Sequence, residues 1–568
     1  MSAIVQNSNY GWCGSWIFSL LISILLVTPK MSWGQLDQGA ITGTVTDAKG
    51  AIVAHATVRL TDTGTGLEFS AATDSSGVYT FQPVKVGTYS ITVSAPGFAN
   101  ANEDGLEVHV AARLQANIQL KVGKVTETVQ VAAGSAPLLQ TEEASTGQVI
   151  STKTINELPL SGRNYVFIAQ EAAGIPPSNG SRGQGNGDFT ANGMRATQNN
   201  FILDGVDNNS DAIDFLNGAS YVVKPPPDAL QEFKVQTGSF SAEFGHSAGA
   251  VVNASIKSGT NALHGDVWEY VRNNDLGEAS PTEWASGVST PTKVLPYHQN
   301  QFGFTAGGPF LTNKLFFFGD YEGNRISYNA PDILTVPTLL ERTGNFTELL
   351  NTNLTGAAQP IVLYEPGSAG NKALGSACGN AQNVMCSGEI STIASALLNL
   401  YPKPQGANAN LTYNNYASSL STTGSVNQFD VRVDYDLSAN DQAFGRVSRL
   451  RESRTAQAPL GPILDGSPCC FNGGIFANQG DNMMFSENHV FSPSLINQAR
   501  FAYNWGYFNW QQFSANVNLA SLYGLGGIPY QAGNGGLPML TSTAFKASEL
   551  PTTNPHRSIR MSIRSSMT

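Results

Sequence analysis

From Gly39 to Leu120 the chain is a series of short runs in which apolar and polar residues alternate: AITGTVTD, ATVRLTDTGTG, LEFSAATDSSG, VYTFQPVKVG, TYSITVSAPGF, LEVHV and ANIQL. A period of two sends successive side chains to opposite faces of a strand, and Gly, Asp and Pro interrupt the runs roughly every 8 to 12 residues. Tyr89, Ile91 and Val93 fall on one face, and Thr88, Ser90, Thr92 and Ser94 on the other. The pattern predicts a small antiparallel sandwich of about seven strands, each with one buried face.

An isolated polar, β-branched stretch follows, KVTETVQVA at 124–132. It suits either an ordinary linker strand or a segment that joins another protein's sheet edge through main-chain hydrogen bonds. The pattern then becomes mixed. Asn199 to Leu203 reads as a short strand closed by an Asp204-Gly205 turn, Pro225 to Pro227 as an extended break, and Leu230 to Thr237 as a further strand. Ala250 to Lys257 alternates again, with Val251, Asn253, Ser255 and Lys257 on one face and Val252, Ala254 and Ile256 on the other.

From Leu263 the strands lengthen and their faces diverge. In Gln428 to Asp436, QFDVRVDYD, Phe429, Val431, Val433 and Tyr435 alternate with Gln428, Asp430, Arg432, Asp434 and Asp436. Phe302 and Phe304 oppose Gln301 and Thr305, Phe317 and Tyr321 oppose Asp320 and Glu322, and Phe501 and Tyr503 oppose Arg500 and Asn504. One such strand also suits a soluble sandwich, but several in succession predict a membrane barrel with an apolar outside and a charged, water-lined inside. Leu437 to Asp441 reads as a short hairpin connection. Asn324 to Gly424 reads as a long outward loop with a short helix around Ile390 to Leu400.

At the N-terminus, Trp16 to Val27 is an apolar run of signal-peptide length, followed by Ser32-Trp33-Gly34 with small residues where a signal peptidase reads; cleavage is expected before Gln35. No Lys or Arg precedes the run and Lys30 follows it. A helical membrane anchor, the alternative, needs about 20 apolar residues.

Composition agrees with a mostly β chain: charged residues are only 13% while 58 Gly and 9% aromatics point to many short strands and turns. A formal charge of −11 without clustered Lys or Arg in the body of the chain argues against a nucleic-acid partner. The five cysteines form no C-x-x-C and no His is followed by Glu at the H-x-x-E spacing, so neither a structural zinc site nor a zinc peptidase is implied. Cys378 with Cys386 suits a short disulfide loop, whereas Cys469-Cys470 has no clear pairing. Gly245-His246-Ser247-Ala248-Gly249 matches a hydrolase nucleophile elbow in letters, but that elbow needs a helix after the serine and a strand pattern follows here. Asp204, Asp207, Asp211 and Asp214 lack the spacing of a calcium loop and read as turn formers.

The segment Gly39 to Leu120 resembles the carboxypeptidase regulatory-like domain through Gly43-Thr44-Val45-Thr46-Asp47, Asp74-Ser75-Ser76-Gly77-Val78-Tyr79 and Val84-Lys85-Val86-Gly87-Thr88-Tyr89-Ser90-Ile91. The following region resembles the plug of TonB-dependent outer-membrane receptors. The motifs are Leu203-Asp204-Gly205-Val206, Leu230-Gln231-Glu232-Phe233-Lys234-Val235, Phe244-Gly245-His246-Ser247-Ala248-Gly249 and Val251-Val252-Asn253-Ala254-Ser255-Ile256-Lys257-Ser258, in the family's order. Glu127-Thr128-Val129-Gln130-Val131 looks like the TonB box, the tether on which the energy transducer pulls. With the leading sandwich, the resemblance is to Oar-like receptors.

The division expected is a signal peptide (1–34), a sandwich (37–121), box and plug (124–259) and the N-terminal part of an outer-membrane barrel (260–554), followed by a tail (555–568) that departs from the family pattern. The fold class expected is mostly β: a β-sandwich, an α+β plug domain and an incomplete transmembrane β-barrel. Plugged transporters use about 22 strands, and the residues after Ser258 hold roughly seven or eight, so a C-terminally truncated receptor is expected. The implied function is plug-gated uptake into the periplasm, with TonB, outer-membrane lipid and an unidentified ligand (siderophore, cobalamin, glycan or peptide) as partners. No cofactor, metal or catalytic residue is implied. The alternative is a surface adhesion or matrix-binding β-protein without transport.

Overall fold

The computed structural model describes residues 38–123, 128–130, 145–158, 160, 162–176, 189–210, 221–241, 244–276, 296–365, 372–464, 473–492, 495–533 and 535–537. The expected signal peptide, the tail from Pro555, and Cys469-Cys470 lie outside these residues.

The sandwich is built as the alternation predicts, with one correction. Strands β1 (Gly39–Asp47), β4 (Val78–Val84), β7 (Arg113–Gln115) and β8 (Ile118–Leu120) form one sheet. The other holds β2 (Thr57–Asp62), β3 (Glu68–Ala72), β5 (Gly87–Ser94), β6 (Asn100–Val108) and β9 (Thr128–Gln130). β7 and β8 run parallel to β1, and β9 parallel to β6, so the sandwich is not wholly antiparallel. Alternation fixes which face is buried but is the same in either strand direction. Tyr89, Ile91 and Val93 enter the core between the sheets, as their spacing requires.

The plug is a mixed five-stranded sheet in the order β10 (Thr146–Ser151), β13 (Leu230–Gly238), β14 (Val251–Ile256), β11 (Asn200–Leu203), β12 (Val206–Asp207). β11 pairs with β14 in parallel and turns back into β12. A short helix, α1 (Thr152–Glu157), starts where the Ser151 hydroxyl accepts the Thr154 amide, and a 3-10 turn at Tyr165–Glu171 packs beneath the sheet. Val252, Ala254 and Ile256 point into the core with Tyr165, Phe201 and Phe233; the Tyr165 and Phe233 rings meet edge to face at 5.2 Å. Such burial, about 1.5–3 kcal/mol per large side chain, holds together a domain with little regular helix.

Seven long strands follow: β15 (His264–Asn273), β16 (Tyr297–Leu311), β17 (Leu315–Leu334), β18 (Tyr416–Asp436), β19 (Asp441–Ala456), β20 (Gly474–Ser492) and β21 (Leu495–Gln511). Each pairs antiparallel with the next, and the sheet stays open, with β15 and β21 as its edges. Short connections at 312–314 and 437–440 mark one end. The long connections lie at the other. β17 and β18 run further than the sequence suggests, by eleven and nine residues: Asn324–Leu334 and Tyr416–Gly424 are paired strand, so the long loop is 335–415. It contains the helix expected near Ile390, at Thr392–Leu398, and the Cys378–Cys386 disulfide.

The two faces of this sheet carry the predicted parity. Val431, Val433 and Tyr435 are exposed on the outside, while Gln428, Asp430, Arg432, Asp434 and Asp436 are buried on the inside. The inner face is not water-lined here as expected. Phe318 and Leu450 join the plug's hydrophobic core, and the charged side chains meet partners from the plug and the sandwich.

Candidate functional site: the seat of the plug

The LDGV turn sits where plug and barrel meet. Leu203 is fully buried in the plug core, and Asp204 and Gly205 follow in the left-handed region (φ 50° and 78°). Two successive positive φ values make the tight reversal between β11 and β12, and Gly and Asp are the residues that tolerate them. Val206 then packs on Phe444 and Met484 of the barrel wall.

The turn presents Asp204 to the barrel. Its Oδ1 accepts the Ile256 amide (3.0 Å) and the Ser255 hydroxyl (3.2 Å), and Arg432 Nη1 donates to it at 3.2 Å. Its Oδ2 lies 2.8 Å from Arg446 Nε, off the hydrogen-bond direction, as a close ion pair. Arg432 and Arg446 are cross-strand partners on the inner faces of β18 and β19. Arg432 also donates to Asp434 (2.8 and 3.0 Å) and to the Ile256 carbonyl, with its guanidinium 4.2 Å from the Phe444 ring centroid. Arg446, with no exposed side-chain surface, donates to Asn482 at 2.6 Å and to Ser448. A buried charge is tolerated only when paired and hydrogen-bonded; here one plug carboxylate and two barrel cations meet that need jointly. Both carboxylate oxygens of Asp204 are thus taken up by guanidiniums and plug hydrogen-bond donors rather than presented as a calcium ligand would be. Asp207 accepts the Asn209 amide in its turn, and Asp211 and Asp214 lie outside the described residues.

A second ion pair lies across the plug. Arg163 donates to Glu322 of β17 at 2.7 Å and to Asp228 of the plug, and stands about 5.0 Å from the ring centroids of Trp268 (5.0 Å) and Tyr270 (4.9 Å) on β15. Sequence reasoning assigned no role to Arg163, Glu322, Arg432 or Arg446. For Glu322, Arg432 and Arg446 the usable signal was the inward parity of charged residues on barrel strands; Arg163, between α1 and the turn at Tyr165–Glu171 of the plug, had no such periodicity.

The remaining motif residues build the turn's support. Phe244 packs with Ile202 and Val251 on the plug's other face, and the Gly245 carbonyl accepts the Asn200 side chain at 2.7 Å. Gly249 lies so close to Asn199 that a Cβ there would sit on the Asn199 amide oxygen, which accepts the Ala250 N–H at 3.0 Å. Asn253 is buried, and its carboxamide has no hydrogen-bond partner among the described residues. Ser247 donates to the Ala250 carbonyl at 3.1 Å and leads into strand β14, which lacks the helix of a nucleophile elbow. Of the box residues, Thr128, Val129 and Gln130 pair in parallel with Asn100, Ala101 and Asn102 of the sandwich; Glu127 and Val131 lie outside the described residues.

The sandwich is anchored at the short-turn end. Lys85 Nζ lies 2.8 Å from Asp436 and 3.3 Å from Asp434 on β18, and Asn488 donates to Gln38 at 3.1 Å. Burial alone would lower the Lys85 pKa, but the two aspartates raise it above its ordinary value. His109 Nδ1 is 2.7 Å from Glu232 of plug strand β13, whose other oxygen accepts the Val110 amide. That bond to Glu232 raises the His109 pKa. Near the same end Asp441, Glu487 and His489 bring carboxylate and imidazole atoms within 4.8 Å, where His489 bonds Asp441 and Asn497 bonds Glu487.

Three family models match successive parts of the chain. The family described as outer membrane beta barrel domain matches residues 255–567, more than half of the chain; the carboxypeptidase regulatory-like domain matches 40–121, and the TonB-dependent receptor plug domain 140–252. The TonB-dependent transporter Oar of Myxococcus xanthus is 24% identical over 298 residues, 51% of this chain and 27% of that protein. The chain thus spans about a quarter of the length of that curated relative. Among solved structures, the outer membrane transporter YddB of Escherichia coli has a TM-score of 0.38 at 11% identity, over 65% of this chain and 40% of that one. The ferric enterobactin receptor PfeA of Pseudomonas aeruginosa has 0.31 at 15%, over 66% and 51%. The chain belongs to the outer-membrane β-barrel family and carries, ahead of the barrel segment, a carboxypeptidase regulatory-like domain and a TonB-dependent receptor plug domain.

Proposed function

We propose that this chain is the signal-bearing, plug-bearing part of an outer-membrane receptor that takes a ligand into the periplasm when TonB pulls on the box at Glu127 to Val131. The observation that carries this reading is the seat of Asp204 between Arg432 and Arg446. A plug held to the wall by a few ion pairs and hydrogen bonds stays closed at rest, and polar contacts can re-form after movement because no covalent bond is lost. The proposed division is sandwich 37–121, box and plug 124–259, and barrel from 260, with outer-membrane lipid against the exposed apolar face of the strands. Siderophore, cobalamin, glycan and peptide ligands all fit this reading.

A Lys124–Ala132 peptide is expected to bind the C-terminal domain of the cognate TonB by strand addition. No binding by calorimetry at high peptide concentration would leave the non-transporting adhesion protein as the better reading.

A further inference from the structure

Three contacts tie the sandwich to three different bodies. Lys85, in the short connection that crosses from β4 in one sheet to β5 in the other, reaches the barrel through Asp434 and Asp436. His109 and Val110, at the end of β6, hold the plug through Glu232. The start of β6 carries the box strand β9. Beside these, Ala111 packs on the plug cluster of Ile202, Phe244 and Val251, and Asn261 donates to the carbonyl of Thr65 at 2.6 Å. A domain that merely hung from the chain would have no reason to bury Lys85 against two carboxylates whose own side chains are only 1–2% exposed, because desolvating those charges is favourable only when they stay paired.

We infer that the sandwich is a latch on the plug, with Lys85 and Glu232 as its positioning residues: it keeps the plug seated until the box strand is drawn off its edge. The inference rests on the transport reading above. β6 is the shared element, bonded to β9 at Asn100–Asn102 and followed directly by the two residues that hold Glu232. The covalent route from β9 to the first plug strand β10 runs through fifteen residues, 131 to 145, which when extended span roughly 50 Å. A partner that adds the box to its own sheet must first take it from this one.

Hydrogen exchange read by mass spectrometry on the full chain in detergent tests this. In the wild type, peptides covering Val108–Val110 and Leu230–Gly238 should be protected. Lys85→Gln should speed their exchange about tenfold or more, as loss of a buried ion pair predicts, while Thr57–Asp62 inside the sandwich stays unchanged. The charge exchange Lys85→Asp with Asp436→Lys should restore protection, which a purely steric role of Lys85 would not allow. If Lys85→Gln also loosens Thr57–Asp62, Glu232→Gln replaces it as the readout, since it cuts the plug contact from the plug side. Unchanged exchange at Val108–Val110 in both variants overturns the latch. Adding the TonB C-terminal domain should deprotect Asn100–Asn102 and Val108–Val110 together. If it binds and frees only Asn100–Asn102, the latch fails and the transport reading stands; if it does not bind, the release step falls together with that reading.

Discussion

Replacing Asp204 by Asn changes one charge at the seat of the plug and little else. Asn tolerates the left-handed backbone at this position at least as well as Asp does, and its amide oxygen can still accept the Ile256 N–H. What is lost is the anion between Arg432 and Arg446. Arg432 keeps Asp434 and the Ile256 carbonyl, so its loss is small. Arg446 keeps Asn482 and Ser448, but its direct carboxylate at 2.8 Å is gone, and its side chain has no access to water. Removing one partner of a buried pair costs about 3–5 kcal/mol; the contacts that survive place this change near the lower end, about 3 kcal/mol or roughly a hundredfold in the seated-to-released ratio. Hydrogen exchange across Leu203–Asp207 is the assay. Adding Arg446→Met to Asp204→Asn should recover part of the loss, because an apolar side chain does not need the missing anion, and the double-mutant cycle gives a coupling of about 1–3 kcal/mol. Exchange in Asp204→Asn within twofold of wild type, or strictly additive single changes, would refute the proposed seat.

Other outcomes follow from the same geometry. Gly205→Val places a β-branched residue at φ 78° and should loosen the β11–β12 turn by about 1–2 kcal/mol, seen as a lower denaturant midpoint for the plug. Gly249→Ala puts a methyl group on the Asn199 side chain and should unseat its bond to Ala250, a loss of about 1–3 kcal/mol, measured the same way. Val433→Arg on the exposed face of β18 should cost about 2–4 kcal/mol in a bilayer and almost nothing in urea-free detergent, a contrast read by vesicle insertion. The contact of His109 with Glu232, which Glu107 and Lys234 also face, should depend on pH. Because folding raises the His109 pKa, its stabilisation is fully present below the ordinary value of 6.5 and is lost as pH rises through the folded value, so exchange at Val108–Val110 should speed up on the alkaline side.

Much of this was readable from local pattern. Alternation placed Tyr89, Ile91 and Val93 in the sandwich core and sorted Val431 and Val433 from Asp430 and Arg432 on β18, because side-chain direction in a strand depends only on position parity. The Asp204-Gly205 reversal was readable because few residues accept positive φ. Strand direction in the sandwich, the added length of β17 and β18, and the meeting of Asp204 with Arg432 and Arg446 were not. Those residues are more than 200 positions apart in the chain, and no local period encodes which inward charge a distant turn will face. Parity could say that Arg432 points inward; only the packing of plug against wall decided that it meets Asp204 rather than water, because burial makes an unpaired charge too costly to leave.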